Sequence, residues 1–154
     1  MEKRYAVVKE WTTAKGLHAV CLRTDLGHLC GYVGVPRGNP LYGHGYDDNL
    51  PELITAWKRA KRGPIGKRGI MPLLTADDET TSMCCVFNVH GGITYASGGK
   101  NGYPSETHKD LWWIGFDCAH CDDTPENCDL PYVTAECENL ADQIAAVLPF
   151  EKGR

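Results

Sequence analysis

Residues Leu111 to Cys118, LWWIGFDC, carry bulky apolar side chains at both odd and even positions. Successive side chains of a strand point to opposite faces. A run that is apolar on both faces therefore predicts a central strand with cover on each side. The run stops abruptly. Asp117, Cys118, His120, Cys121, Asp122 and Asp123 place six side chains able to bind metal or move protons within seven positions. Working residues gather on loops held by a rigid scaffold, so chemistry is expected at this strand end.

A length of 154 residues matches one domain with a sizeable core. The chain is 42% hydrophobic and 23% charged, an ordinary globular balance. No apolar run approaches the roughly 18 residues of a membrane span. The start, MEKRYAVVKEW, places charges and then a strand where a secretory segment would be apolar. A cytoplasmic protein is expected. In a reducing compartment the eight cysteines are thiols, metal ligands or nucleophiles rather than disulfides. Cys84, Cys85 and Cys137 fall on apolar patterns and read as small buried hydrophobes. Cys21 and Cys30 occupy facing halves of a hairpin and pair only under oxidising conditions.

The remaining pattern is that of one α+β domain over residues 1–154, a mainly antiparallel sheet flanked by two or three helices. Tyr5–Trp11, Leu17–Thr24 and His28–Val35 are β-branched, aromatic-rich and divided by turn signals, which predicts a meander. A Gly/Pro-rich loop, PRGNPLYGHGYDD, follows. A first helix is expected over Pro51–Lys61, with Asp48 or Asn49 as its N-cap. Ser82–His90 reads as a strand that meets Gly91-Gly92 and resumes at Ile93–Ala96. A double glycine there signals a bulge, or a backbone that something approaches closely. The last helix starts at Asp129 with Pro131 just inside. Its apolar stripe, Val133, Cys137, Leu140, Ile144 and Leu148, keeps to one helical face, and Pro149 ends it.

Charge is unevenly spread. Leu53 to Ala76 holds six basic residues and no acidic one, whereas Asp110 to Glu151 holds ten acidic residues and no Lys or Arg. The simplest account is two solvated faces of opposite sign. A nucleic-acid role for Lys58–Arg68 is the less favoured reading, because a pI near 5.8 is far from the balance of such proteins.

Several chemistries suit the cluster after the central strand. Cys118-Ala-His-Cys121, with Cys128 seven residues on, offers zinc a set of S/N ligands, although no distant second pair completes a knuckle. An open divalent-metal site would draw on Asp117, His120 and Asp123, with His90 or Glu136, and leave room for an activated water. Zinc is the first metal to expect. As a nucleophile, Cys118 would need His90 or His120 as base. The bland reading has Asp117 capping a turn and His120 as a surface histidine. His90-Gly91-Gly92, Tyr95 and Glu136 also resemble the His/Tyr/Glu pattern of ADP-ribosyltransferases. That likeness implies a nicotinamide nucleotide held by His90 and Tyr95 beside the glycines, with Glu136 polarising the ribose.

The strings GYVGVPRGNPLYGHGYDD, VHGGITYA, WWIGFDCAHCDD and YVTAECENLADQI resemble a widespread group of small phage and prophage proteins of unassigned function. The likeness covers Gly31–Asp48 and Val89–Ile144 in order. In that group the G-F-D-C-A-H pattern precedes an acidic residue without a second cysteine. The resemblance thus implies that Cys121 and Cys128 are peculiar to this chain, and shifts weight to Asp117, Cys118, His120 and Asp122 or Asp123. It also implies a cytoplasmic accessory protein of an infected bacterium, countering host defence or regulation by binding a protein or small ligand. A metal-dependent or cysteine-based enzyme and a small structural zinc module are the alternatives.

Overall fold

The computed structural model describes residues 5–50, 53, 82–120 and 123–147. Five strands form one antiparallel sheet: β1 (Tyr5–Thr12), β2 (His18–Thr24), β3 (Leu29–Val35), β4 (Tyr95–Gly98) and β5 (Trp112–Asp117), in the order β1-β2-β3-β5-β4. A short helix, α1 (Met83–Val86), precedes β4, and a long one, α2 (Leu130–Ala145), follows β5. The class is α+β. Among the described residues no helix is long and apolar enough to cross a membrane.

The predicted meander is present as β1, β2 and β3, with a register shift between Val7 and Lys9. Strand β5 lies between β3 and β4, an interior position that suits its apolar character. The two faces of the sheet build two cores. Ala19, Cys21, Leu29, Val33, Val35, Ile114 and Phe116 face α2, while Val20, Leu22, Cys30, Tyr32 and Trp113 form a smaller cluster on the other side. Cys21 and Cys30 therefore sit on opposite faces of their hairpin, each as a free thiol. Of the tryptophan pair, Trp113 is fully buried in the smaller cluster and Trp112 is half-buried against the larger one.

Helix α2 begins as expected. Asp129 is its N-cap and accepts a 3.0 Å hydrogen bond from Tyr132 N. Val133, Cys137, Leu140 and Ile144 are fully buried against the sheet. Each large aliphatic side chain so buried contributes about 1.5–3 kcal/mol. The helix seats closely because β3 offers no side chain at Gly31, where a β-carbon would fall 2.7 Å from Cys137 Sγ and 2.6 Å from Phe116 Cζ.

One element differs from expectation. Ser82–His90 is not a strand: it forms the single turn of α1 and then an extended segment with no strand partner among the described residues. Its backbone groups are satisfied by side chains of α2. Asn88 N donates to Gln143 Oε1 (2.8 Å), and Asn88 O accepts from Asn139 Nδ2 (2.9 Å) and Gln143 Nε2 (3.0 Å). His90 N donates to Glu136 Oε1 at 2.9 Å. With partners of this kind, buried backbone needs no ladder. The expected helix over Pro51–Lys61, apart from the buried Leu53, and the basic stretch Lys58–Arg68 lie outside the described residues.

Candidate metal centre

The end of β5, the loop after it and the His90-Gly91-Gly92 turn meet over the start of α2. There His90 Nε2, the thiols of Cys118 and Cys128, and a carboxylate oxygen of Asp123 all lie within 4.8 Å of one another. These four residues come from three places in the chain. Cys118 follows the last residue of β5 and is anchored by its backbone N–H to Leu29 O (3.0 Å). Cys128 lies just before the N-cap of α2, and His90 heads the glycine turn. Both cysteines are 4% exposed, and the Asp123 side chain is 7% exposed.

Their orientation is controlled by neighbours. Tyr132 OH pairs with His90 Nδ1 at 2.8 Å, which leaves Nε2 facing the cluster. Nε2 lies 2.8 Å from Asp123 Oδ1 and 3.6 Å from Cys128 Sγ. The other Asp123 oxygen, Oδ2, accepts from His120 N and pairs with His120 Nδ1, both at 2.9 Å. His120 thus holds Asp123 so that Oδ1 is presented inward. The glycine turn makes room for this: Gly91 and Gly92 have φ of +68° and +81°, and a β-carbon on Gly91 would overlap the His120 ring. The close approach suggested by the double glycine is that of an imidazole.

Electrostatics follow from burial and these bonds. Burial pushes the Cys118 thiol well up, and the neighbouring Cys128 thiol adds to the effect. Burial raises Cys128 too, with nearby Asp123 acting in the same direction. For Asp123 burial opposes the charged form, but hydrogen bonds from His90 and from the backbone and ring of His120 outweigh it. Its carboxyl is held far below the usual range. Burial, followed by the charge of Glu136, raises the Tyr132 hydroxyl to about 12.

Two thiols, an imidazole nitrogen and a carboxylate oxygen are a donor set suited to zinc or another borderline divalent ion. With metal–sulfur and metal–nitrogen bonds of about 2.3 and 2.0 Å, a tetrahedral site has an S···N edge of about 3.5 Å, and bonds of about 2.0 Å to nitrogen and oxygen give an N···O edge of about 3.3 Å. The observed Cys128–His90 separation, 3.6 Å, is close to that S···N edge, whereas His90 Nε2 and Asp123 Oδ1 are 2.8 Å apart as a direct hydrogen bond and would have to part slightly around an ion. By contrast, a cysteine–histidine–aspartate triad needs nucleophile and carboxylate on different ring nitrogens. Here Cys128 and Asp123 share Nε2, and Tyr132 occupies Nδ1.

The other sequence candidates fall around this centre or away from it. Asp117 caps the turn after β5, accepting from Ala119 N (3.0 Å) and Thr94 Oγ1 (3.1 Å). His120 is 42% exposed in its side chain and reaches the cluster through Asp123. Glu136 is buried and holds the His90 backbone. Tyr95 lies on the other face of the sheet, edge-on to Tyr32 and Tyr103, so His90, Tyr95 and Glu136 do not share a site. Cys121 and Asp122 lie outside the described residues.

Two participants were harder to foresee. The resemblance argued against Cys128, which its place just before the N-cap of α2 brings into the group. Tyr132 carries only a spacing signal, one helical turn before Glu136. No protein-family model, no curated protein and no solved structure matches this chain.

Proposed function

We propose that the chain is a single-domain accessory protein whose fold is closed by one zinc ion, held by His90, Cys118, Asp123 and Cys128. The convergence of their four donor atoms within 4.8 Å carries the reading. Four protein ligands complete a tetrahedral shell and leave no place for an activated water, as in structural zinc sites. The burial of both thiols supports the same role. In this reading the ion ties the end of β5 and the start of α2 to the glycine turn, and working contacts are made elsewhere on the surface. The likeness to the phage and prophage group supports an accessory task in a bacterial host, acting on defence or regulation through a bound protein or small ligand.

Metal analysis of the purified chain tests this directly. One zinc per chain is expected, falling to a small fraction in His90→Ala and in Cys128→Ser, while Cys84→Ser keeps its full content. Cobalt substitution should give thiolate-to-metal absorption that either cysteine variant weakens. A wild-type protein that folds fully with no metal, and takes up none when zinc is supplied, sinks the idea. A centre that persists in Cys128→Ser but vanishes in His120→Ala would move the ligand set back to the strand end alone.

A further inference from the structure

On the sheet face away from α2, a second group of donors meets. Glu10 comes from β1, His18 from β2 and His108 from the loop before β5, and one ligand atom of each lies within 4.8 Å of the others. Glu10 pairs with Val20 across the sheet, and the His18 ring packs edge-on to Trp113, which places both on the side of the smaller core. No sulfur takes part, so nothing here depends on the cysteine-containing centre.

The hub is a single oxygen. Glu10 Oε2 lies 2.6 Å from His18 Nε2 and 3.3 Å from His108 Nδ1. It also accepts from Ser105 Oγ at 2.7 Å and Thr107 Oγ1 at 3.1 Å. Ser105 is completely buried, so its hydroxyl fixes the carboxylate from the protein side. The two imidazoles stack with centroids 3.7 Å apart and planes 24° from parallel. His108 Nδ1 also lies 2.9 Å from Thr107 Oγ1. N–H and O–H donors turned to Glu10 hold the group together without an ion, and one divalent ion can take their place at the three ligand atoms, which already lie within 4.8 Å of one another.

We propose that Glu10, His18 and His108 form a second divalent-metal site, of the two-histidine, one-carboxylate kind. Imidazole donors select a borderline transition ion such as Zn²⁺, Co²⁺, Ni²⁺ or Cu²⁺ over Mg²⁺ or Ca²⁺. Three protein ligands leave positions for water or for a small anionic ligand. Exchange is possible because the side chains of Glu10, His18 and His108 are 25%, 16% and 40% exposed. Ser105 and Thr107 act as outer partners that orient the carboxylate. The two centres differ in kind: one is buried and complete, the other open and exchangeable.

Cobalt distinguishes them, because thiolate-to-cobalt absorption reports only the cysteine-containing centre. The full chain as purified is titrated with CoCl₂, following bound metal by equilibrium dialysis together with absorption and tryptophan fluorescence. One equivalent is expected to bind with no thiolate absorption and to quench fluorescence, since Trp113 lies 6.0 Å from His18 between ring centroids. Glu10→Gln and His108→Ala should each weaken that equivalent at least about tenfold while leaving any thiolate absorption unchanged. His108 lies on a loop, so its variant keeps the test open if changes within the sheet disturb folding. Absence of a sulfur-free equivalent in wild type, or its undiminished binding in His108→Ala, overturns the proposal.

Discussion

The His120 imidazole rests on the backbone of Gly91, in the space that any side chain at that residue would fill. Gly91→Ala should therefore cost stability twice, through its left-handed φ of +68° and through overlap with the ring. A loss of about 1–3 kcal/mol is expected in urea unfolding. Removing the ring relieves only the second part, so Gly91→Ala/His120→Ala should lose less than the sum of the single variants. Strict additivity would show that the contact carries no energy.

Gln143 serves Asn88 as both acceptor and donor. Gln143→Ala strands a backbone N–H that has no strand neighbour to replace it, and about 1–3 kcal/mol of stability should go with it. Hydrogen exchange offers a local check: protection at the Asn88 amide should fall more than protection in β3.

At Gly31 the limit is space rather than backbone angle. A methyl group there meets Phe116 and Cys137, both held in the packed interior. Gly31→Ala should destabilise by about 1–3 kcal/mol or more through overpacking. Cys137→Ala in the same chain should recover part of the loss, read from the denaturation midpoint.

Removal of metal should weaken the fold, since binding at a site absent from the unfolded chain adds to folding free energy. A strong chelator is expected to lower the melting temperature of wild type and to lower that of His90→Ala far less. The pH dependence has a definite sign. Burial raises both the Cys118 and the Cys128 thiols, so the metal-free centre holds their protons near neutrality and zinc must displace two of them. Apparent affinity should then rise with pH, by up to about a hundredfold per unit, in chelator competition between pH 6.5 and 7.5. A flat profile would mean that the thiols are not the ligands.

Wherever a regular period and a local cap coincide, the chain announces its own structure. The β-branched, aromatic-rich runs of β1 to β3 with their turn signals, the two-sided apolar character of β5 and the capped stripe of α2 are local signals of this sort. Ser82–His90 misleads because its apolar residues are buried in a continuous run, which a strand and an irregular buried segment share. What decides between them is the polar stripe on α2, some 46 to 55 residues away. The metal centre divides in the same way. Cys118 and Asp123 are visible from the strand end, whereas His90 and Cys128 join through tertiary contacts that no local spacing encodes. The Glu10, His18 and His108 group has no local signature at all, because cross-strand register and a distant loop assemble it.

Tyr132, Glu136, Asn139 and Gln143 stand at i, i+4, i+7 and i+11 of α2, beside its apolar stripe. Val133, Cys137, Leu140 and Ile144 are similar enough that an apolar surface alone would accept the helix shifted by a turn, about 5.4 Å. The polar row would not, since every shift unmakes its bonds to Asn88 and His90 at once. It works as an index pin, setting both the rotation and the axial position of the helix. The direction of the His90 ring is thereby dictated by the phase of a helix whose Tyr132 lies 42 residues further along the chain.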